Sequence, residues 1–181
     1  MSKRSNKRQA KGFTALELIV TMTIIAILLT TGVPAFKNYG WNLRMKTAMD
    51  TLQTDLSLAR GRAISHNVQT VICPALDNND CSGQSTWQDG WIVFSDLNGD
   101  RHKQDGEPLL KHAGVVAMLN ISSSASRSNL RFYPNGSAPG SNASILFCDQ
   151  RGAAEAGIIT LSNSGRIRMQ TKGSKSTENC P

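Results

Sequence analysis

The sequence predicts an α+β protein, in which one long N-terminal helix, apolar in its first half and amphipathic in its second, packs on an antiparallel β domain. Three observations carry this expectation. An uncharged apolar run of nineteen residues covers positions 18–36. Apolar side chains then recur at helical spacing as far as position 63. From position 68 short β-branched and aromatic runs alternate with turn residues. A helical period followed by strand periods, without alternation between them, separates an α+β fold from an alternating α/β one.

The N-terminus comes first. Five cations, Lys3, Arg4, Lys7, Arg8 and Lys11, and no acid precede Gly12. A positive flank on a membrane-length segment places the N-terminus inside and the remainder outside. At about 1.5 Å per helical residue the apolar run reaches roughly 28 Å, close to the hydrocarbon thickness, so it can span a bilayer once. An ordinary secretory signal competes, with Val33, Pro34 and Ala35 as a small-residue cleavage site. Glu17 opposes that reading, because a carboxylate inside an apolar stretch needs a partner or a task.

The basic leader, Gly12-Phe13, and Glu17 five residues into a chain that starts at Phe13 form an arrangement that resembles the type IV pilin and pseudopilin family. The resemblance implies cleavage after Gly12 by a prepilin peptidase and N-methylation of Phe13. It also implies a helix stored in the inner membrane and later packed in a filament core beside other pilins. Glu17 would there pair with the amine of Phe13 on a neighbouring subunit.

The leader changes what the charge means. The formal net charge of +7 falls to +2 without the five leader cations, since 20 − 5 = 15 Lys and Arg stand against 13 acids. Binding of nucleic acid must therefore be argued from local clustering and not from the pI. The expected organisation is a leader at 1–12, a transmembrane half-helix at 13–36, an amphipathic half-helix at 37–67, and a β-rich domain at 68–181 with a basic tail. That domain would lie in the periplasm, or at the cell surface once assembled. Its length, with the amphipathic helix about 145 residues, suits one core.

Within the helix, Gly32 and Pro34 predict a bend, because proline removes a backbone donor and crowds the preceding turn. Met45, Met49, Leu52, Leu56, Ala59 and Ala63 then form an apolar stripe, which Arg44, Lys46, Asp50, Asp55, Arg60 and Arg62 mostly avoid. The helix should end at 65–67. Strands are expected at 68–73, 91–95, 115–121, 129–133, 144–148, 157–161 and 165–170, with turns at Asn98-Gly99, Pro134-Asn135-Gly136 and Asn163-Ser164-Gly165. The stretch containing Gly90-Trp91-Ile92-Val93-Phe94, Asp96-Leu97-Asn98-Gly99-Asp100 and Gly106-Glu107-Pro108-Leu109-Leu110 resembles the GspH/FimT branch of minor pilins and pseudopilins. That resemblance covers nearly all of the chain beyond the leader and implies the type IV pilin fold.

Cys73, Cys81, Cys148 and Cys180 all fall on the side expected outside, where disulfides form. Three connectivities are open. The expected one joins Cys73 to Cys81 across a small loop and Cys148 to Cys180, tying the tail to a strand. Zinc fits poorly without a Cys-x-x-Cys pair and with only three histidines. The 96–107 loop sets Asp96, Asn98, Asp100 and Glu107 at calcium-loop spacing, yet Arg101 stands where the sharp turn needs glycine, and a polar hairpin loop is the expected reading. Neither a metal nor a cofactor is expected. No catalytic constellation stands out, and an enzyme is not expected.

One local charge cluster remains. Residues 165–175 carry Arg166, Arg168, Lys172 and Lys175, with no acid before Glu178. On a strand, both arginines project from one face and Ile167 from the other. Such a surface suits phosphate contacts without base reading, as neither a recognition helix nor a stacking aromatic accompanies it. The competing reading is an edge strand protected by its charge. Gly165-Arg166-Ile167-Arg168 also resembles the Gly-Arg-x-Arg arrangement of FimT-like minor pilins, which implies DNA binding during uptake in natural transformation. The alternative is a minor pseudopilin at the tip of a type II secretion filament. Arg131 and Lys103 would join the DNA site if the fold brings them near it.

Intact-mass measurement of the membrane-extracted protein should find a chain beginning at a methylated Phe13. A chain beginning at Phe36 would establish the secretory reading instead.

Overall fold

The structure, a computed structural model, describes residues 12–75, 77, 80–124, 127–171 and 180. It divides into two compact units, Met1–Trp41 and Asn42–Pro181, and helix α1, Ala15–His66, runs through both sequence ranges.

The start of α1 is capped within the sequence. The Glu17 amide donates to the Thr14 hydroxyl at 3.2 Å, so Thr-x-x-Glu opens the helix, and the carboxylate of Glu17 sits where the helix dipole favours negative charge. Every residue from 12 to 39 is exposed, and α1 is long and apolar enough in this part to cross a membrane. Its hydroxyls are turned inward: Thr21, Thr23, Thr30 and Thr31 donate to carbonyls three or four residues back. Few backbone or hydroxyl groups are left to water, as a lipid-facing surface requires. The helix continues through Gly32 and Pro34, as expected beyond the proline.

In the second unit the predicted stripe is the buried face. Met45, Met49, Leu52, Leu56, Ala59 and Ala63 are all in the core, joined by Ala48. Asp55 departs from its expected place off the stripe. It is buried, and its carboxylate accepts the indole N–H of Trp91 at 2.8 Å. A buried carboxylate persists because it is matched to a buried donor.

Two antiparallel sheets flank this helix face. The first has the order β3-β2-β1-β5, from β1 Gln69–Pro74, β2 Trp91–Asp96, β3 Leu109–Ala113 and β5 Leu130–Phe132. The second has the order β4-β6-β7-β8, from β4 Asn120–Ser123, β6 Ala143–Cys148, β7 Gly157–Leu161 and β8 Ile167–Thr171. One continuous core holds the α1 stripe together with Ile72, Val93, Phe132 from the first sheet and Ile145, Phe147, Ile159 from the second. Disulfides join Cys73 to Cys81 and Cys148 to Cys180.

The strand expected at 115–121 is a correction. Residues 114–119 form a connection, with Met118 in the left-handed region (φ 67°) and Val115 exposed, and only β4 begins within the range. Strand β3 lies earlier, at an edge, and its Leu109-Leu110-Lys111-His112-Ala113 lacks an alternating pattern because it is mostly exposed. Edge strands with polar side chains carry a weak periodic signal.

The β7–β8 hairpin positions the site. Residues 163–165 connect it: the Gly165 amide donates to the Ser162 carbonyl at 2.8 Å and the Ser162 amide to the Arg166 carbonyl at 3.0 Å. Gly165 closes this three-residue loop in the left-handed region, φ 76°. A Cβ at that position would also fall 2.0 Å from the carbonyl oxygen of Gly136. Glycine is therefore required twice over, by conformation and by the approach of a second turn.

Two substitutions test these contacts in denaturant unfolding. Asp55→Ala should cost about 1 to 3 kcal/mol by orphaning the Trp91 N–H, and Asp55→Asn, which keeps an acceptor, should cost less; equal losses would mean that the hydrogen bond contributes nothing. Gly165→Ala should destabilise by at least about 1 kcal/mol, since neither its φ nor its surroundings accept a Cβ, and a wild-type unfolding midpoint would contradict that placement.

Candidate nucleic-acid interface

Strand β8 is the edge of its sheet, and its side chains alternate. Arg168 and, just before the strand, Arg166 are exposed, while Ile167 and Met169 pack on the core. The sequence expectation for the two arginines is thus met in geometry: they share the outer face. In the hairpin register Thr160 is opposite Arg168, and Ser162 bonds with the Arg166 backbone in both directions.

Between these side chains lies a surface cavity of about 320 Å³, lined by Thr160, Ser162, Ser164, Arg166 and Arg168. Its lining holds two guanidinium groups and three hydroxyls, and no carboxylate. Among the described residues neither guanidinium has a hydrogen-bond or ion-pair partner. Guanidinium forks and hydroxyls can satisfy several oxygens of one anion together, and the fork matches phosphate geometry. No aromatic lines the cavity, so the arrangement suits a backbone phosphate over a stacked base.

The three hydroxyls were not identified from the sequence. Their signal was present in the register: with the turn at 163–165, Thr160 and Ser162 must share a face with Arg168 and Arg166. Lys172 and Lys175, the other two predicted contacts, lie outside the described residues. Arg131 and Lys103 do not line this cavity. Arg131 is on β5 of the other sheet, where its guanidinium bonds to Gln69, the Gly99 carbonyl and Tyr133 and stacks 4.7 Å from the Tyr133 ring centre. Arg151 is also committed, in a bidentate pair with Asp149 and a bond to Asn42. Partial burial opposes the charge of Asp149, but the Arg151 contacts outweigh it and hold that carboxyl below the usual carboxylate range.

The 96–107 loop directs its carboxylates to backbone amides. Asp96 accepts from Gly99 and Arg101, Glu107 from Leu97 and Gln104, and Asp100 from His102. Arg101 takes the left-handed conformation (φ 69°) where a calcium loop would use glycine. Asp80 closes the loop from outside, accepting the Lys103 amide at 2.9 Å and lying 3.0 Å from His102 Nδ1. That hydrogen bond and charge raise the His102 pKa above its ordinary value. Burial resists the ionisation of Asp80, yet its bonds from His102 and two backbone amides hold it lower than usual. Among the described residues, no group of three or more His, Cys, Asp or Glu is placed to hold a metal.

Known proteins place this geometry in a family. A sequence profile for "Type II transport protein GspH" matches residues 48–165, and one for the "Prokaryotic N-terminal methylation motif" matches residues 7–33. Among curated proteins no match was found. Among solved structures, the type IV minor pilin FimU of Pseudomonas aeruginosa is similar over 79% of this chain and 96% of its own, at 17% identity and a TM-score of 0.59. The minor pseudopilin EpsH from the type 2 secretion system of Vibrio cholerae is similar over 72% of this chain and 99% of its own, at 10% identity and a TM-score of 0.53. At these identities the structures speak to the fold, a long N-terminal helix on antiparallel sheets, and the profile to the lineage: the chain has the type IV pilin fold and belongs to the GspH family of minor pilins and pseudopilins.

Proposed function

We propose that this protein is a minor type IV pilin that takes part in pilus assembly and binds DNA without reading its sequence, during uptake in natural transformation. The observation that supports the reading is the acid-free cavity of Arg166 and Arg168 among three hydroxyls on an exposed edge strand. It agrees with the resemblance of Gly165-Arg166-Ile167-Arg168 to the FimT-like arrangement. In this proposal Lys172 and Lys175 extend the contact along the backbone.

Processing follows the same reading. A prepilin peptidase cleaves after Gly12, Phe13 is N-methylated, and α1 is held in the inner membrane with the β domain in the periplasm. In the filament, Glu17 pairs with the Phe13 amine of a neighbour, and the exposed apolar face of residues 12–39 is covered by other pilins. The disulfides suit that oxidising compartment.

A second reading, a minor pseudopilin of a type II secretion filament tip, is favoured by the profile that matches residues 48–165. The profile ends before Arg166, so it does not weigh on the cationic strand.

A salt titration separates the two. Phosphate contacts from Arg166, Arg168, Lys172 and Lys175 alone contribute about −3.6 to the slope of log affinity against log salt, with little dependence on sequence. Replacing Arg166 and Arg168 by Gln should weaken binding and flatten that slope by roughly two units while the fold persists, because both side chains are exposed. Unchanged affinity and slope in the folded double variant would move the preference to the secretion role.

A further inference from the structure

A second cavity, of about 390 Å³, is lined by Arg166 and by α1, where the helix runs beside the β7–β8 hairpin. Its helix wall is Gln53, Ser57, Arg60, Gly61 and Ile64, positions that share one face at spacings of three and four. The strand side is Arg166 and Ile167. The two cavities therefore share Arg166 in their linings.

Arg60 is anchored at this junction. It is half-buried, and its Nε–H donates to the Gly136 carbonyl at 2.9 Å. The same Nε would stand 3.1 Å from a Cβ on Gly165, so the guanidinium rests over the turn that precedes Arg166. With Nε engaged, a guanidinium retains four other N–H donors, enough for a bidentate contact. Across both cavities the lining contains three arginines, four hydroxyls and an amide, and no Asp or Glu. A single small anion would need only one such seat. Two seats sharing a cation, both free of carboxylates, fit an anion whose charges repeat along a chain.

We infer that Arg60 is a further phosphate-binding residue, and that a DNA backbone crosses the β7–β8 turn from the sheet face of Arg166 and Arg168 into the α1 groove. This rests on the DNA-binding reading above. Gln53 supplies a neutral amide donor on the helix side, and Arg166 is shared by phosphates in the two cavities. Immobilising Arg60 on a backbone carbonyl lowers the ordering cost of the contact.

The test uses the full chain in a nonionic detergent and a mixed-sequence DNA duplex. With Arg60 as a fifth contact the salt slope of the unaltered chain should approach about −4.5, and Arg60→Gln should return it to about −3.6. Arg60→Lys should keep most of the slope, since it keeps the charge although it loses the Nε bond. Ser57 is exposed, with its hydroxyl bonded back to Gln53, so Ser57→Glu should fold normally, place a carboxylate in the groove and lower affinity at least tenfold at low salt. If Arg60→Gln fails to fold, the Ser57→Glu result decides. Wild-type slope and affinity in the Arg60→Gln and Ser57→Glu variants, with binding still flattened by the Arg166 and Arg168 substitutions, would overturn this inference and leave the DNA reading standing. Failure of the unaltered chain to bind would overturn both.

Discussion

A single face of α1 must serve two sheets that share no strand ladder, and the rest of the domain depends on that constraint. The stripe from Met45 to Ala63 enters one core with inward residues of both sheets. An apolar stripe alone is permissive in rotation and register. The buried bond from Trp91 to Asp55 is directional, and it ties the middle of that stripe to the start of β2. Directional polar contacts inside a core fix an arrangement that hydrophobic burial would leave adjustable. On the other sheet, the approach is set by size: a Cβ at Gly157 would fall 2.3 Å from the Met49 sulfur, so β7 meets the helix where it has no side chain.

The same helix meets two different demands along its length. Its second half is amphipathic and its apolar stripe is buried by its own chain. Its first half is apolar on all sides and exposed throughout, with threonine hydroxyls bonded back to the helix backbone. Such a surface is stable only when something outside the chain covers it, lipid or the apolar helices of neighbours. Both are expected for a protein stored in a membrane and assembled into a filament. Thr14 and Glu17 add a local point. The Thr14 hydroxyl caps the helix by accepting the Glu17 amide, so the cap uses the backbone of Glu17 and not its carboxylate.

Much of this was legible in the sequence because periodic signals are strong where burial is one-sided. The helix stripe, the helix end, and β1, β2, β6 and β7 follow from such patterns. Strand β3 was missed because an exposed edge strand has no apolar face to announce it, and residues 115–121 misled because a β-branched run was read as a strand although Val115 is exposed and Met118 turns the chain. Asp55 was misread for a related reason: charge marks a residue as surface unless its partner is known, and Trp91 is 36 residues away. For the candidate site, Arg166 and Arg168 were legible through the local cation cluster, strand alternation and the Gly-Arg-x-Arg resemblance. Thr160, Ser162 and Arg60 were not, since cross-strand and helix-to-turn neighbours require the register and the packing.

The charged edge strand carries two readings that are compatible. Cations on an edge discourage pairing with another sheet, and a protein that assembles in close-packed filaments has reason to protect its edges. Protection alone, however, is satisfied by scattered lysines and does not require a particular turn. Here the turn is particular. Gly165 is held in a left-handed conformation against Gly136, and the lack of a side chain there lets Arg60 lie over it on the way to the Gly136 carbonyl. Arg60 and Arg166 thereby line one cavity across that turn. Edge protection accounts for the arginines of β8, but it does not account for a helix arginine brought across to meet them.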